Sequence, residues 1–76
     1  MTNSEYTPNR KLKSARVKRF WTMKDASEKI GVSLQTYSRW ERGLQYPHLS
    51  TLRLICEAFD QTPEDLGFEG SRIEGQ

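Results

Sequence analysis

The stretch Met23–Gly43, MKDASEKIGVSLQTYSRWERG, decides the fold of this chain. Its first half is predicted to be a helix capped by the hydroxyl of Thr22, with a capping box completed by Asp25. Gly31 can adopt the left-handed conformation that ends a helix, and Ser33 is a good cap for a second helix. Because the link between them is so short, the two helices must cross, which exposes one face of the second.

Helical spacing of apolar residues continues on both sides of this pair. A first helix is predicted from about Arg10 to Arg19, and a fourth is predicted after Pro47, with Ser50 as its cap. Thr62 and Pro63 introduce a last short turn of helix, PEDL. The predicted buried stripes are Leu12, Ala15, Arg16 and Phe20 in the first helix, and Leu52, Ile55, Cys56 and Phe59 in the fourth.

The whole pattern predicts an all-α protein, a compact five-helix bundle with a central helix-turn-helix. Alternation typical of strands is absent from the sequence. We expect residues 10–68 to form the domain, because residues 1–9 are polar and aperiodic and predict a flexible arm. Residues 69–76 predict a flexible tail, or a linker to a region absent from this chain.

Charge is sorted along the chain. Residues 10–53 carry eleven Lys/Arg and three Asp/Glu, whereas residues 54–76 carry six acids and one Arg. A basic surface on a small domain is typical of binding to a polyanion such as nucleic acid. Taken alone, the same charges also fit an ordinary solvated face.

Several function classes are disfavoured by composition. At 76 residues the chain is too short for a large catalytic cavity, and it lacks a phosphate-binding glycine loop or a carboxylate dyad. Cys56 is the single cysteine, either a small core residue or a reactive thiol, and His48 lacks partners at metal-ligand spacing. We therefore expect no enzyme, no cofactor and no metal, and a cytoplasmic protein without membrane association.

The central stretch resembles the helix-turn-helix of the phage lambda repressor and Cro family of bacterial and phage regulators. The shared features are a small residue at Ser27, Gly31 and Val32 in the turn, and the SRWERG ending followed by a proline. The resemblance extends over residues 10–68. It implies a DNA-binding transcription regulator with its third helix, residues 34–42, in the major groove of double-stranded DNA.

The resemblance also implies which side chains contact bases. Gln35 can form a bidentate pair with adenine, and Arg39 can do so with guanine. Leu34 either meets a thymine methyl group or packs as a helix staple, and Ser38 is a further candidate. Outside this motif, Gln35 and Arg39 would be interpreted as ordinary helix surface.

Phosphate contacts are implied at both ends of the motif. Met23 stands where the family often has glutamine, so its contact depends on the amides at the start of its helix. Lys11, Lys13 and Lys18 are either sources of diffuse attraction or only solubilising charges. The predicted phosphate contacts are Thr22, Met23, Ser33, Thr36, Arg42, Tyr46 and His48.

Family members commonly pair an arginine of the first helix with the glutamate before the closing glycine of the third. Arg16 and Glu41 occupy these positions, which predicts a partly buried structural ion pair. Trp21 and Trp40 are interpreted as core residues, with base stacking as the alternative.

A protein-interaction module, including an antitoxin-like component, is the alternative function. It depends on Leu54, which falls off the buried stripe and either joins Phe68 in an exposed apolar patch or covers the C-terminal turn. For DNA binding, a domain this small normally needs two copies, so we expect a weak homodimer or pairing on DNA, or help from an absent C-terminal effector domain.

Overall fold

The computed structural model describes residues 7–68 and is all-helical over that range. Four helices are found there rather than the five predicted. Residues 63–67, which include the predicted fifth helix, form successive hydrogen-bonded turns, with the Phe68 amide donating to the Pro63 carbonyl at 2.8 Å. The helices are α1 (Arg10–Lys18), α2 (Met23–Ile30), α3 (Leu34–Arg42) and α4 (Leu49–Phe59).

The link between α2 and α3 is built as the sequence predicts. Thr22 accepts from the Asp25 amide while the Asp25 carboxylate accepts from the Thr22 amide, which completes the capping box. Gly31 ends α2 with φ 95°, and Ser33 caps α3 by accepting from the Thr36 amide at 3.1 Å. The predicted helix-turn-helix is therefore confirmed as a local structure.

One apolar core joins all four helices and the C-terminal turn. Its aromatic members meet edge to face, as in the Trp21 and Phe59 pair at 5.2 Å between ring centroids. The Arg19 guanidinium donates to the carbonyls of Ala15 and Phe59, so it links the end of α1 to the end of α4. The buried apolar residues are Leu12, Ala15, Ala26, Ile30, Tyr37, Trp40, Leu52, Ile55, Phe59, Leu66 and Phe68.

Asn9 ties the start of the folded unit to two distant segments. Its side chain caps α1 by accepting from the Leu12 amide, and its Nδ2 donates to the Leu66 carbonyl at 2.9 Å. Its backbone amide donates to the Glu41 carbonyl at 2.9 Å. Asn9 is thus part of the fold, while residues 1–6 of the predicted arm and the predicted tail at 69–76 lie outside the described residues.

The prediction that Phe20 belongs to the buried stripe of α1 is wrong. The helix ends at Lys18, and Phe20 adopts φ 61° with 93% of its surface exposed. The Phe20 amide donates to the Val17 carbonyl, which closes a tight turn and rotates the phenyl group out of the helical register. Trp21 is the aromatic residue that packs against the core instead.

Two predictions about α4 also need correction. The helix begins at Leu49 with His48 as its cap residue, so Ser50 lies in its first turn rather than at its cap. Proline restricts the residue before it, Tyr46, but leaves the chain after Pro47 free to enter a helix. Leu54 is 46% exposed, yet Phe68 is buried against Tyr46, so Leu54 and Phe68 do not form a joint exposed patch.

We expect Gly43→Ala to destabilise the domain more than Gly31→Ala. Both glycines have positive φ, so alanine at either costs about 1–2 kcal/mol. A Cβ on Gly43 would also overlap the Thr7 carbonyl, whereas a Cβ on Gly31 meets nothing within 4 Å. Urea unfolding of both variants measures the difference, and equal losses would contradict the close approach of Thr7 to Gly43.

Candidate nucleic-acid interface

Helix α3 has a buried face and an exposed face. Tyr37, Trp40 and Glu41 are buried against the other helices. Gln35 and Arg39 lie one helical turn apart on the exposed side. The helix therefore presents two long polar side chains on its exposed face.

The remaining two base-contact candidates flank that pair. Leu34 begins α3 and is 48% exposed, so its side chain is available at the surface. Ser38 is half-buried beside Arg39. All four candidates thus lie on the first two turns of α3.

A buried cluster of polar side chains fixes α3 from behind. Arg16 Nε lies 2.6 Å from Glu41 Oε2, and Arg16 Nη2 lies 3.2 Å from Glu41 Oε1, a two-pronged pairing of guanidinium and carboxylate. The Tyr37 hydroxyl donates to the same Oε2 at 2.6 Å. Both ionised partners are shielded from water, so the structure brings Arg16 and Glu41 together as a brace between α1 and α3.

The brace reaches a third segment of the chain. Arg16 Nη1 donates to the Trp21 carbonyl at 2.9 Å, which holds the link between α1 and α2. Hydrogen bonding to Glu41 raises the pKa of Arg16, and burial followed by the bond to Glu41 raises the pKa of Tyr37. Arg16 thus stays charged and Tyr37 stays a donor at neutral pH.

Two members of this cluster were not predicted from the sequence, the Tyr37 hydroxyl and the Trp21 carbonyl. The spacing of Tyr37 and Glu41, four residues apart in one helix, was the available signal, since such residues face the same way. Nothing in the sequence pointed to the Trp21 carbonyl, because that contact depends on the turn made by residues 19–22.

The start of α2 offers the first group of phosphate candidates. Thr22 is exposed, and Met23 is half-buried with its side chain packed against the core. The first amides of a helix have no partner within it, so the amides of Met23 and Lys24 remain available to an anion. Hydrogen bonds from Thr22 lower the pKa of Asp25, so a carboxylate already occupies part of this positive helix end.

The start of α3 offers the second group. Ser33 Oγ donates to Thr36 Oγ1 at 3.0 Å, so the two hydroxyl groups form a pair. Ser33 is exposed and Thr36 is half-buried. The Thr36 hydroxyl accepts from Ser33, so its own proton is available to donate a hydrogen bond to another group.

The loop after α3 holds the third group. Arg42 and His48 are exposed, and His48 is the residue immediately before α4. Tyr46 is half-buried, with its ring 5.4 Å from that of Phe68 in an edge-to-face contact. This packing holds the centre of the loop against the body of the domain.

The exposed charged residues are sorted along the chain as the sequence predicts, with bases before residue 54 and most acids after it. Lys11, Lys13 and Lys18 of α1 are exposed, as is Lys24 of α2. The exposed acids of the last segment are Glu57, Asp60, Glu64 and Asp65. Within residues 7–68, no three acidic, histidine or cysteine side chains are grouped closely enough to hold a metal ion.

Both tryptophans contact the core. Trp40 is buried and packs edge to face with Tyr37 at 5.9 Å, while Trp21 is half-buried beneath the Lys29 ammonium group. Cys56 is half-buried against the same core, and burial raises the pKa of its thiol. A raised pKa keeps the thiol protonated and therefore unreactive at neutral pH.

The architecture, with a capped helix, a glycine turn and a braced second helix exposing polar side chains, defines a helix-turn-helix domain. A model of the helix-turn-helix family matches residues 12–66, so the chain belongs to that family. This confirms the family predicted from the sequence. The class is one whose members place the second helix of the motif in the major groove of DNA.

The chain is also similar to a curated transcriptional regulator. The chain is 29% identical over 56 residues to the HTH-type transcriptional regulator AnsR of Bacillus subtilis (strain 168). The alignment covers 74% of this chain and 48% of the relative, so the chain spans about half of that regulator's length. No helix in the described range is both long enough and apolar enough to span a bilayer.

Arg16→Met and Glu41→Leu should each reduce the free energy of unfolding by about 3–5 kcal/mol, because each leaves one buried charge unpaired. The double variant should lose clearly less than the sum, since neither charge then remains. Chemical denaturation monitored by circular dichroism measures all three. Arg53→Met, on the exposed face of α4, is the control and should change stability by less than about 0.5 kcal/mol. Additive losses would contradict the brace.

Proposed function

We propose that this chain is the DNA-binding domain of a bacterial transcription regulator, acting in the cytoplasm and reading double-stranded DNA with α3. The observation that carries the proposal is that α3 has an exposed polar face, while its opposite face is buried and held by hydrogen bonds. Gln35 and Arg39 point outward from a helix that Arg16, Glu41 and Tyr37 hold in place. Rigid placement matters because base discrimination needs bidentate geometry.

Four side chains of α3 contact bases in this proposal. Arg39 pairs with O6 and N7 of guanine, and Gln35 pairs with N6 and N7 of adenine. Leu34, half exposed at the start of the helix, contacts a thymine methyl group. Ser38 adds a single hydrogen bond to a neighbouring base edge or phosphate.

Phosphate contacts at the margins of α3 set the register of the domain on the duplex. On one side lie Thr22 and the amide of Met23 at the positive end of α2. Ser33 and Thr36 contribute hydroxyl groups at the start of α3. On the other side lie Arg42, Tyr46 and His48.

Two copies acting on a two-fold operator are part of the proposal. A single α3 offers only four base-contact candidates, too few for useful discrimination among genomic sites. Two copies one helical turn apart double that number. Since the chain spans about half of its curated relative, a further region with an effector role belongs to the same proposal.

A protein partner is the second candidate function, and an apolar groove along α4 favours it. The groove has a volume of about 560 Å³ and is lined by Leu49, Ser50, Leu52, Arg53, Cys56 and Pro63. Leu49 is 63% exposed at its rim. An exposed apolar surface of this kind is typical of a contact between proteins, including two copies of one domain.

The proposed base contacts predict a specific defect in Gln35→Ala plus Arg39→Ala. Fluorescence anisotropy with duplexes selected from a randomised pool should show the double variant losing its sequence preference. Each bidentate pair is worth about 1–3 kcal/mol of discrimination. Arg10→Ala, which also removes one exposed arginine, should keep the preference of the unmodified chain. If the unmodified chain fails to bind any duplex even at low salt, the protein-partner function is favoured.

Arg42→Ala should weaken binding to preferred and random duplexes to the same extent. Removing one phosphate contact should also reduce the slope of log affinity against log salt by about one. The measurement is a salt titration of the wild type and of Arg42→Ala, each on the preferred and on the random duplex. A defect confined to the preferred duplex would instead make Arg42 a base-contacting residue.

A further inference from the structure

Phe20 combines two unfavourable features in the turn between α1 and α2. Its backbone has φ 61°, a left-handed conformation that residues with a Cβ rarely adopt. Its phenyl group is 93% exposed, the most exposed large apolar side chain in residues 7–68. Strained backbone conformations of bulky residues are found mainly at functional sites. Phe20 is therefore a candidate functional residue.

The fold gains nothing from the phenyl group itself. The turn is closed by backbone bonds, from the Arg19 amide to the Arg16 carbonyl and from the Phe20 amide to the Val17 carbonyl. Neither bond uses a side-chain atom of Phe20. A glycine or an asparagine would close the same turn with less strain, because both tolerate positive φ.

Exposed basic and apolar residues lie near Phe20 in the sequence. Lys18 and Lys24 are exposed on either side of it in the sequence, and Val17 is 51% exposed one turn before it. Two residues after Phe20 lies Thr22, where α2 begins with its positive end. A ligand suited to this surface has dense negative charge beside apolar groups.

The backbone of duplex DNA has that chemistry, since it alternates phosphates with deoxyribose rings. Phe20 and Thr22 are two residues apart, so their Cα atoms are separated by about 7 Å at most. Phosphates recur every 3.4 Å or so of helix axis along one strand. A phosphate held at the start of α2 therefore brings the adjacent one or two sugars within reach of Phe20.

We propose that Phe20 is a DNA-contacting side chain that packs against the deoxyribose next to the phosphate held at the N-terminus of α2. This rests on the proposed function, DNA binding through α3, and adds to it an apolar contact with the backbone. The contact is independent of sequence because every nucleotide carries the same sugar. It is also independent of salt, since no charge is neutralised.

The first test separates stability from affinity. Phe20→Gly and Phe20→Asn should raise the thermal midpoint of unfolding, because each relieves the positive φ. The same variants should bind both preferred and random duplexes about five- to tenfold more weakly, with an unchanged salt slope. Phe20→Tyr should retain affinity. Leu54→Ala removes an exposed apolar side chain from the acidic segment and should leave affinity unchanged.

The second test locates the contact. Hydroxyl-radical footprinting reports the accessibility of each deoxyribose, and Phe20→Asn should lose protection at one or two sugars while the rest of the footprint persists. If the wild type binds DNA and the Phe20 variants show the same affinity and the same footprint, this inference alone is overturned. A lower thermal midpoint together with weaker binding would also overturn it, because the phenyl group would then serve the fold. Absence of DNA binding by the wild type would overturn the proposed function and this inference with it.

Discussion

The pairing of Arg16 with Glu41 is the interaction on which the rest of the structure depends. Its two hydrogen bonds join α1 to α3, and the hydroxyl of Tyr37 completes the carboxylate's set of donors. Since Arg16 also holds the Trp21 carbonyl, one guanidinium sets the positions of α1, α3 and the start of α2 together. A buried charge pair is costly to desolvate, so its benefit lies in specifying one arrangement of these three segments.

That arrangement explains how so small a domain can present a precise surface. Backbone bonds at Asn9 and close packing at Gly43 fasten the chain near the end of α3, where Glu41 also lies. The helix is therefore restrained along its buried face and at its C-terminal end. Its exposed face carries Gln35 and Arg39.

Backbone strain and exposed positive charge occur close together in the sequence, where α1 ends and α2 begins. Phe20 adopts a left-handed conformation beside exposed lysines, close to the positive end of α2. Asp25 is an acidic residue among these basic ones. Its carboxylate completes the capping box with Thr22 at the start of α2. The exposed acidic residues after residue 54 in the chain are Glu57, Asp60, Glu64 and Asp65.

The sequence by itself determined the all-α class, the caps at Thr22 and Ser33, the glycine turn at Gly31 and the family, because these depend on residues only a few positions apart. The pairing of Arg16 with Glu41 was predicted from the resemblance to the family, not from spacing. The tertiary structure alone decided that Phe20 is exposed, that α4 begins before Ser50, and that residues 63–67 form turns rather than a helix. It also decided that Asn9 binds Leu66 and that Tyr37 serves Glu41. The physical reason is that helix ends and buried polar contacts are set by competition among distant partners for the same hydrogen bonds and core space, and a one-dimensional pattern does not record that competition.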